Sequence, residues 1–452
     1  MISFDEVVPT LVRAVVGHTS YPQIQRICVV RDLRGCVRLA IEPRAENDDF
    51  GSLEADLTSS LAGYFHPPIV TSGTGAASRN FVTKVFEQAS SWPSHWPDSV
   101  SDPLTGAETT IDCQLWFVLE RLISKHSWLL EGQGRPPWPL RRQTPAIIAF
   151  YSFKGGVGRS TLVGIVAWHL ARAGHNVVVL DLDLEAPGIG ALLGAETARG
   201  VIDYIIDHAA AGRRDLHGCS SHARTLDDAV NKMITVVPAG NMDWSYLEKL
   251  GRLDFVGTRV LSGGGNKSPT LQALEALLKT VKVQLQPEFI LVDSRAGLHD
   301  IGGLSLHDLS HIDVLVSRAS EQNYKGMKLT LQALATRKPA PDQRFVVAHS
   351  MAPPLARGET RRNEIQQFRE KFYDVFQECI YSSVEDDDPS IDDNAAPHYP
   401  QVLSRNEDLD SISVLTPAHE SVVFSDEFRQ LVERVREMCA PESDDVEGDT
   451  PE

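Results

Sequence analysis

Eight consecutive residues hold the most specific chemistry in this 452-residue sequence: Lys154, Gly155, Gly156, Val157, Gly158, Arg159, Ser160 and Thr161. Glycines at three of these positions let backbone N–H groups converge on phosphate oxygens, since a Cβ would block the approach. Lys154 and Arg159 bring positive charge, and Ser160 carries the hydroxyl that a phosphate loop places on Mg²⁺. Two acidic stretches complete the set. One is Asp181-Leu182-Asp183-Leu184-Glu185, and the other is Asp293-Ser294-Arg295-Ala296-Gly297. Each follows an apolar run, so Asp181, Asp183 and Asp293 fall at the ends of expected strands. Carboxylates buried there are costly without a cation, and together these residues point to a phosphate and metal site.

The elements that position these residues read as a βαβ unit. Ala146–Phe150 is a buried strand, and the glycine turn follows it. Thr161–Ala173 carries Leu162, Val166 and Leu170 at helical spacing, and Gly174 stops it. Asn176–Leu180 begins a second buried strand. The helix presents its positive N-terminal end to the loop, at the switch point where such sheets bind ligands.

The usual phosphate-loop pattern is G-x-x-x-x-G-K-[ST]. Here Phe153 takes the first glycine's place and Arg159 the lysine's. The segment resembles the deviant Walker A loop, KGG-x-GK-[ST], of the ParA/MinD-type P-loop ATPases, in a variant with KGGVGR as its own motif that looks bacterial. The resemblance implies ATP and Mg²⁺ as cofactors. It makes Lys154 the signature lysine that reaches the partner's nucleotide in a dimer, and it places the triphosphate on Gly155, Gly156, Val157, Gly158, Arg159, Ser160 and Thr161. It further implies Ser160, Asp181, Asp183 and Asp293 around the metal, Asp183 orienting the attacking water, and the Gly297 N–H sensing the γ-phosphate. Lys154, Asp183 and Arg159 become the catalytic candidates. In the same family the base is read after a late strand, and there His349 or Ser350, with Pro353, stands where an asparagine is common. Glu185 has no assigned role, and Arg295 either touches phosphate or pairs with an acid.

Around this centre the expected fold is α/β, a doubly wound, mainly parallel sheet of the P-loop NTPase type with an N-terminal α+β accessory domain. Strands are expected at Met233–Pro238, Phe289–Asp293, Asp313–Ser317 and Phe345–Ala348, and helices at Gly200–Ala211, Ser268–Leu285 and Ser425–Cys439. Residues 1–131 form the accessory domain. Ile24–Val30 and Cys36–Ile41 read as a hairpin, Leu53–Tyr64 as a helix, and Cys113–Leu130 as a second helix with Leu115, Val118, Leu119 and Leu122 on one side. Residues 132–145, rich in Gly, Pro and Arg, read as a linker pinned by Trp138. The ATPase domain spans 146–440 with an acidic loop at 385–397, and 441–452 reads as a disordered acidic tail.

Net charge is −18, which repels nucleic acid and anionic lipid and argues against both as partners. No apolar run is long enough to span a bilayer, and the N-terminus has no basic region of a secretory signal. Six scattered cysteines without a C-x-x-C pair fit reduced thiols and a cytoplasmic setting. The resulting expectation is a slowly hydrolysing ATP switch that forms a nucleotide-dependent homodimer and signals to an unidentified protein partner, in a bacterial regulatory or phage-defence setting. A non-hydrolysing nucleotide-sensing scaffold and a DNA- or membrane-partitioning ATPase are the alternatives.

Overall fold

A computed structural model describes the chain outside residues 1, 3, 47, 74, 94–95, 102–107, 122–123, 130–133, 213–214, 258–267, 338–343, 382–387, 411 and 441–452. The expected tail and the first part of the acidic loop fall outside the described residues. Two compact units divide at Ile123/Ser124.

In the first unit the hairpin is present: Ile24–Arg31 and Val37–Pro43 pair antiparallel. Alternation sets the two faces of the sheet. Ile27 and Val29 meet helices Phe4–Val16 and Gly51–Leu61, whereas Cys28 and Val30 meet helix Ala76–Gln88 through Val82 and Val85. The expected helix over Cys113–Leu130 is a correction. Trp116–Glu120 is a strand, paired in parallel with Ile24–Arg31, and among the described residues of this stretch only His126–Leu129 is helical. The aromatic and β-branched run Trp116-Phe117-Val118 favours a pleated surface. A short apolar run satisfies either periodicity, and pairing with a neighbouring strand decides it here.

Among its described residues the second unit is built on a sheet of eight strands. Their order across the sheet is Ser221–His222, Ile234–Val237, Val177–Asp181, Phe289–Asp293, Ala146–Tyr151, Ile312–Ser317, Phe345–Ala352 and Gln401–Ser404. Every pairing but the first is parallel. Central strands buried on both faces need continuous apolar runs, and Ile147–Phe150 and Val177–Leu180 supply them. Helices cover both faces. Val201–Ala211, Pro269–Leu285, Glu321–Arg337 and Gly358–Cys379 lie on one side, and Arg159–Arg172 and Asp426–Met438 on the other. Phe428, Leu431, Val432 and Val435 of Asp426–Met438 are buried in that second layer. Among the described residues no helix is long and apolar enough to cross a membrane.

The segment expected as a linker belongs to this second unit. Trp138 is buried, donates its ring N–H to the Pro145 carbonyl at 2.8 Å, and offers its own carbonyl to His311. Because His311 Nδ1 accepts from the Ile147 N–H at 2.9 Å, its Nε2 carries the proton it donates to Trp138. Just upstream, Ser127 donates to the Asp300 carbonyl and Trp128 to the His299 carbonyl. Composition marked this stretch as Gly- and Pro-rich, but the tryptophans anchor it.

Candidate functional site

Strand Ala146–Tyr151 ends in the glycine turn, and helix Arg159–Arg172 starts from Gly158. Gly156 and Gly158 hold φ values of +71° and +80°, which side chains with a Cβ rarely adopt. A Cβ built on Gly155 or Gly156 would meet no atom within 4 Å, so these two positions line open space. Val157 turns its side chain into the core and leaves only backbone to the loop. Lys154 is exposed, while Ser160 and Thr161 are half-buried at the first turn of the helix. Phe153 packs on Gly326, where a Cβ would lie 2.1 Å from its ring.

Three carboxylates come together beside the loop. Asp181 and Asp293 are register partners at the ends of adjacent parallel strands, and Asp183 follows two residues after Asp181. All three are buried. Asp181 Oδ1 accepts from the Asp183 N–H at 3.1 Å, and its Oδ2 from the Gly188 N–H at 3.3 Å. Burial, reinforced by the charges of Asp293 and Asp183, pushes the Asp181 carboxyl well above the usual carboxylate range. Burial also raises Asp293, with Arg159 and Ser160 acting in the opposite direction.

Arg159 lies among these carboxylates. Its Nε donates to Asp293 Oδ1 at 2.6 Å and its Nη2 to Asp183 Oδ2 at 2.7 Å. The side chain is 7% exposed. Burial works against the charged guanidinium, but Asp293 and Asp183 outweigh it and raise its pKa. Asp293 Oδ2 is buried and has no hydrogen-bond partner among the described residues. One guanidinium serves two of the three carboxyl groups and leaves Asp293 Oδ2 as an unused buried oxygen donor. That donor set fits Mg²⁺, a hard cation that takes oxygen ligands.

Other expected site residues are placed differently. The Gly297 N–H is donated to the Ser152 carbonyl at 3.1 Å, so in this arrangement it is engaged within the protein. Arg295 forms an ion pair with Glu185, and His299 Nε2 lies 3.3 Å from the same carboxylate. Hydrogen bonding to Arg295 holds Glu185 below its usual range. Ser350 is buried and donates to the Ser317 carbonyl at 3.2 Å. His349 is fully buried, stacks on Phe368 at 4.0 Å between ring centroids, and has its pKa pushed down to about 4 by burial and then by Arg361. Pro353 does border a cleft of about 300 Å³, together with Arg318, Met351, Arg357 and Glu364. A larger groove of about 470 Å³, between Val201–Ala211 and Pro269–Leu285, contains none of the expected site residues.

Residues 143–212 match a family model described as ParA: NUBPL iron-transfer P-loop NTPase. A chloroplastic septum site-determining protein minD homolog from Arabidopsis thaliana is 30% identical over 180 residues, 39% of this chain and 47% of that protein. Over these residues the chain is similar to ParA/MinD-type P-loop NTPases. An iron-sulfur cluster carrier protein from Clostridium perfringens is 43% identical over 56 residues, 12% of this chain and 20% of that protein. Among solved structures, the ATP complex of McdA from Cyanothece is 13% identical with a TM-score of 0.45, covering 66% of this chain and 96% of that one. The chain thus spans about half the length of the Arabidopsis relative and less of the Clostridium one.

Within this second unit, three features had no signal in the linear motif. The bridging of Asp183 and Asp293 by Arg159 joins residues 24 and 134 positions apart. Tyr246 donates its hydroxyl to the Leu184 carbonyl at 2.6 Å and so fixes the segment after Asp183. Met351 holds φ +53° beside the loop, with its Cε 3.7 Å from a Cβ placed on Gly158.

Proposed function

We propose that this protein is a Mg²⁺-dependent ATP-binding switch that hydrolyses slowly, pairs two copies over nucleotide and reports its state to a protein partner. The observation that carries this reading is the open glycine turn set beside three buried carboxylates at adjoining strand ends. Backbone N–H groups of Gly155–Thr161 and the start of helix Arg159–Arg172 would bind the phosphates. Ser160, Asp181, Asp183 and Asp293 would hold Mg²⁺, which supplies neutralisation of charge on the phosphate oxygens when bound. Asp183 would orient the attacking water, and Lys154, exposed beside the loop, would reach a second copy. Such catalysis is positioning and electrostatics, so slow turnover suits a timer.

The test is phosphate release by the purified full chain with ATP and Mg²⁺, alongside light scattering with and without nucleotide. Release that Asp183→Asn abolishes, with a mass doubling on ATP, supports the switch. ATP binding without release in the wild type removes it. The ion pairs of Arg159 favour one second reading, a nucleotide-sensing scaffold without turnover, because a guanidinium tied to Asp183 restrains the residue that would orient water. That reading fails if release is measured.

A further inference from the structure

We infer that Arg159 is a resident cation of this site, and that a divalent metal reaches Asp183 and Asp293 only when a triphosphate draws the guanidinium away. The inference rests on the nucleotide-binding reading above, but it concerns which cation the carboxylates hold, and in what order.

The geometry begins with the shape of the side chain. Nε and Nη2 of one planar guanidinium reach carboxylates on two different strand ends, at 2.6 and 2.7 Å. A lysine ammonium is a point charge without this fork and cannot span both groups in the same way. Arg159 is also nearly excluded from solvent, so water competes poorly for its donors. The oxygens it takes, Asp293 Oδ1 and Asp183 Oδ2, belong to two of the groups a divalent cation would use. A dication placed on the same pair would be held against a fixed positive charge in a weakly screened environment. Guanidinium and metal therefore contest the same carboxylates.

What releases the contest is set by position. Arg159 opens the helix that follows the glycine turn, and Gly155 and Gly156 line open space immediately before it. Triphosphate oxygens in that turn are a strong alternative partner, since guanidinium binds them through two parallel hydrogen bonds. Turning Arg159 onto phosphate would uncover Asp183 and Asp293 together and add phosphate charge to the site, and both changes favour the metal. Linkage makes the effect reciprocal: metal on the carboxylates strengthens nucleotide binding by the same factor. Asp181 has no part in the bridge, and its two oxygens are satisfied by backbone N–H groups of Asp183 and Gly188.

The experiment measures Mn²⁺ binding to the full chain by electron paramagnetic resonance, without nucleotide and with a non-hydrolysable ATP analogue. Wild type should bind Mn²⁺ weakly alone and roughly tenfold or more tightly with the analogue, a coupling of ordinary allosteric size. Arg159→Gln, which removes the charge, should bind Mn²⁺ without nucleotide more tightly than nucleotide-free wild type, though less tightly than loaded wild type, whose phosphate oxygens add ligands, and should gain thermal stability from Mn²⁺ that wild type does not. Adding Asp183→Asn should cancel that gain and so locate the metal. If Arg159→Gln does not fold, Arg159→Lys carries the test, with an intermediate Mn²⁺ affinity expected. Equal nucleotide-free Mn²⁺ affinity in wild type and whichever variant folds overturns the inference. Binding of a fluorescent ATP analogue without metal, measured separately, distinguishes the two failures. Analogue bound with unchanged Mn²⁺ affinities sinks the interlock alone. No analogue bound, with Arg159→Gln still gaining Mn²⁺, sinks the switch and leaves the resident cation standing.

Discussion

Glu185 and Arg295 form an ion pair that joins the loop after Asp183 to the loop after Asp293. The two segments carrying the carboxylates are thereby tied to each other as well as to Arg159. The pair is partly exposed, with side chains 43% and 21% accessible, so its energetic share is modest. Its effect is on the alignment of the two loops.

Removing it by Glu185→Gln should cost about 0.5–1 kcal/mol in urea unfolding at low salt and less at high salt. The pH dependence has a definite sign. Arg295 holds the folded pKa of Glu185 below its unfolded value, so the stabilisation is present above the unfolded pKa and lost as pH falls through the folded one. Wild type and Glu185→Gln should therefore differ at pH 7 and converge only as pH falls below the usual glutamate range.

His349 gives an acid-sensitivity of the opposite origin. Its folded pKa, near 4, lies below that of a free histidine because the buried ring resists protonation. Protonation thus favours the unfolded chain, and stability should fall as pH drops from about 6.5 towards 4. The Glu364 carboxylate, 3.3 Å from His349 Nε2, offsets part of this penalty, so the loss attributable to this ring is at most about 3 kcal/mol over that window. His349→Phe, which keeps an aromatic face against Phe368, should show a shallower decline in melting temperature over the same range. An identical decline would remove His349 as the cause.

Gly156→Ala tests the loop. The φ of +71° at this position should cost about 1–2 kcal/mol for a residue with a Cβ. The added methyl would also stand in the open space that phosphate is proposed to fill. Loss of ATP binding in equilibrium titration, with a small drop in melting temperature, is the expected result. Unchanged affinity would count against phosphate in this turn.

Gly326→Ala separates packing from helix propensity. In a helix interior the change to alanine ordinarily stabilises by about 0.5–1 kcal/mol. Here the new Cβ would fall 2.1 Å from the Phe153 ring, so Phe153 must move. A net destabilisation, together with weaker ATP binding from the displaced loop, is expected. Net stabilisation would mean that Phe153 repositions freely.

Much of the second unit was legible because parallel strands must be apolar on both faces, and runs such as Val177–Leu180 and Phe289–Asp293 stand out between helical patterns. The glycine turn was legible because few other chemistries need that spacing. Trp116–Glu120 was not, since its neighbours satisfy helix and strand periods equally and its pairing with Ile27–Arg31 on one side and Ser90–Ser91 on the other settles the matter. Ser350 and His349 were expected near a base, but position in a motif does not reveal burial, and both are committed to the interior. The Arg159 bridge was hidden for a similar reason: it depends on groups brought together only by folding. Trp138 was expected as a pin, but not as a part of the core.

Asp181 and Asp293 stand opposite one another on neighbouring strands, and successive strand residues face alternate sides of a sheet. Inserting or deleting a single residue within Val177–Asp181 or Phe289–Asp293 would swing one carboxylate to the far side while leaving every motif letter intact. Length changes in the connections that precede those strands would not. Chains descended from this one should accordingly tolerate drift in those connections and keep the phase of both strands, and a homologue with altered phase would have lost the paired acids even where its sequence still spells them.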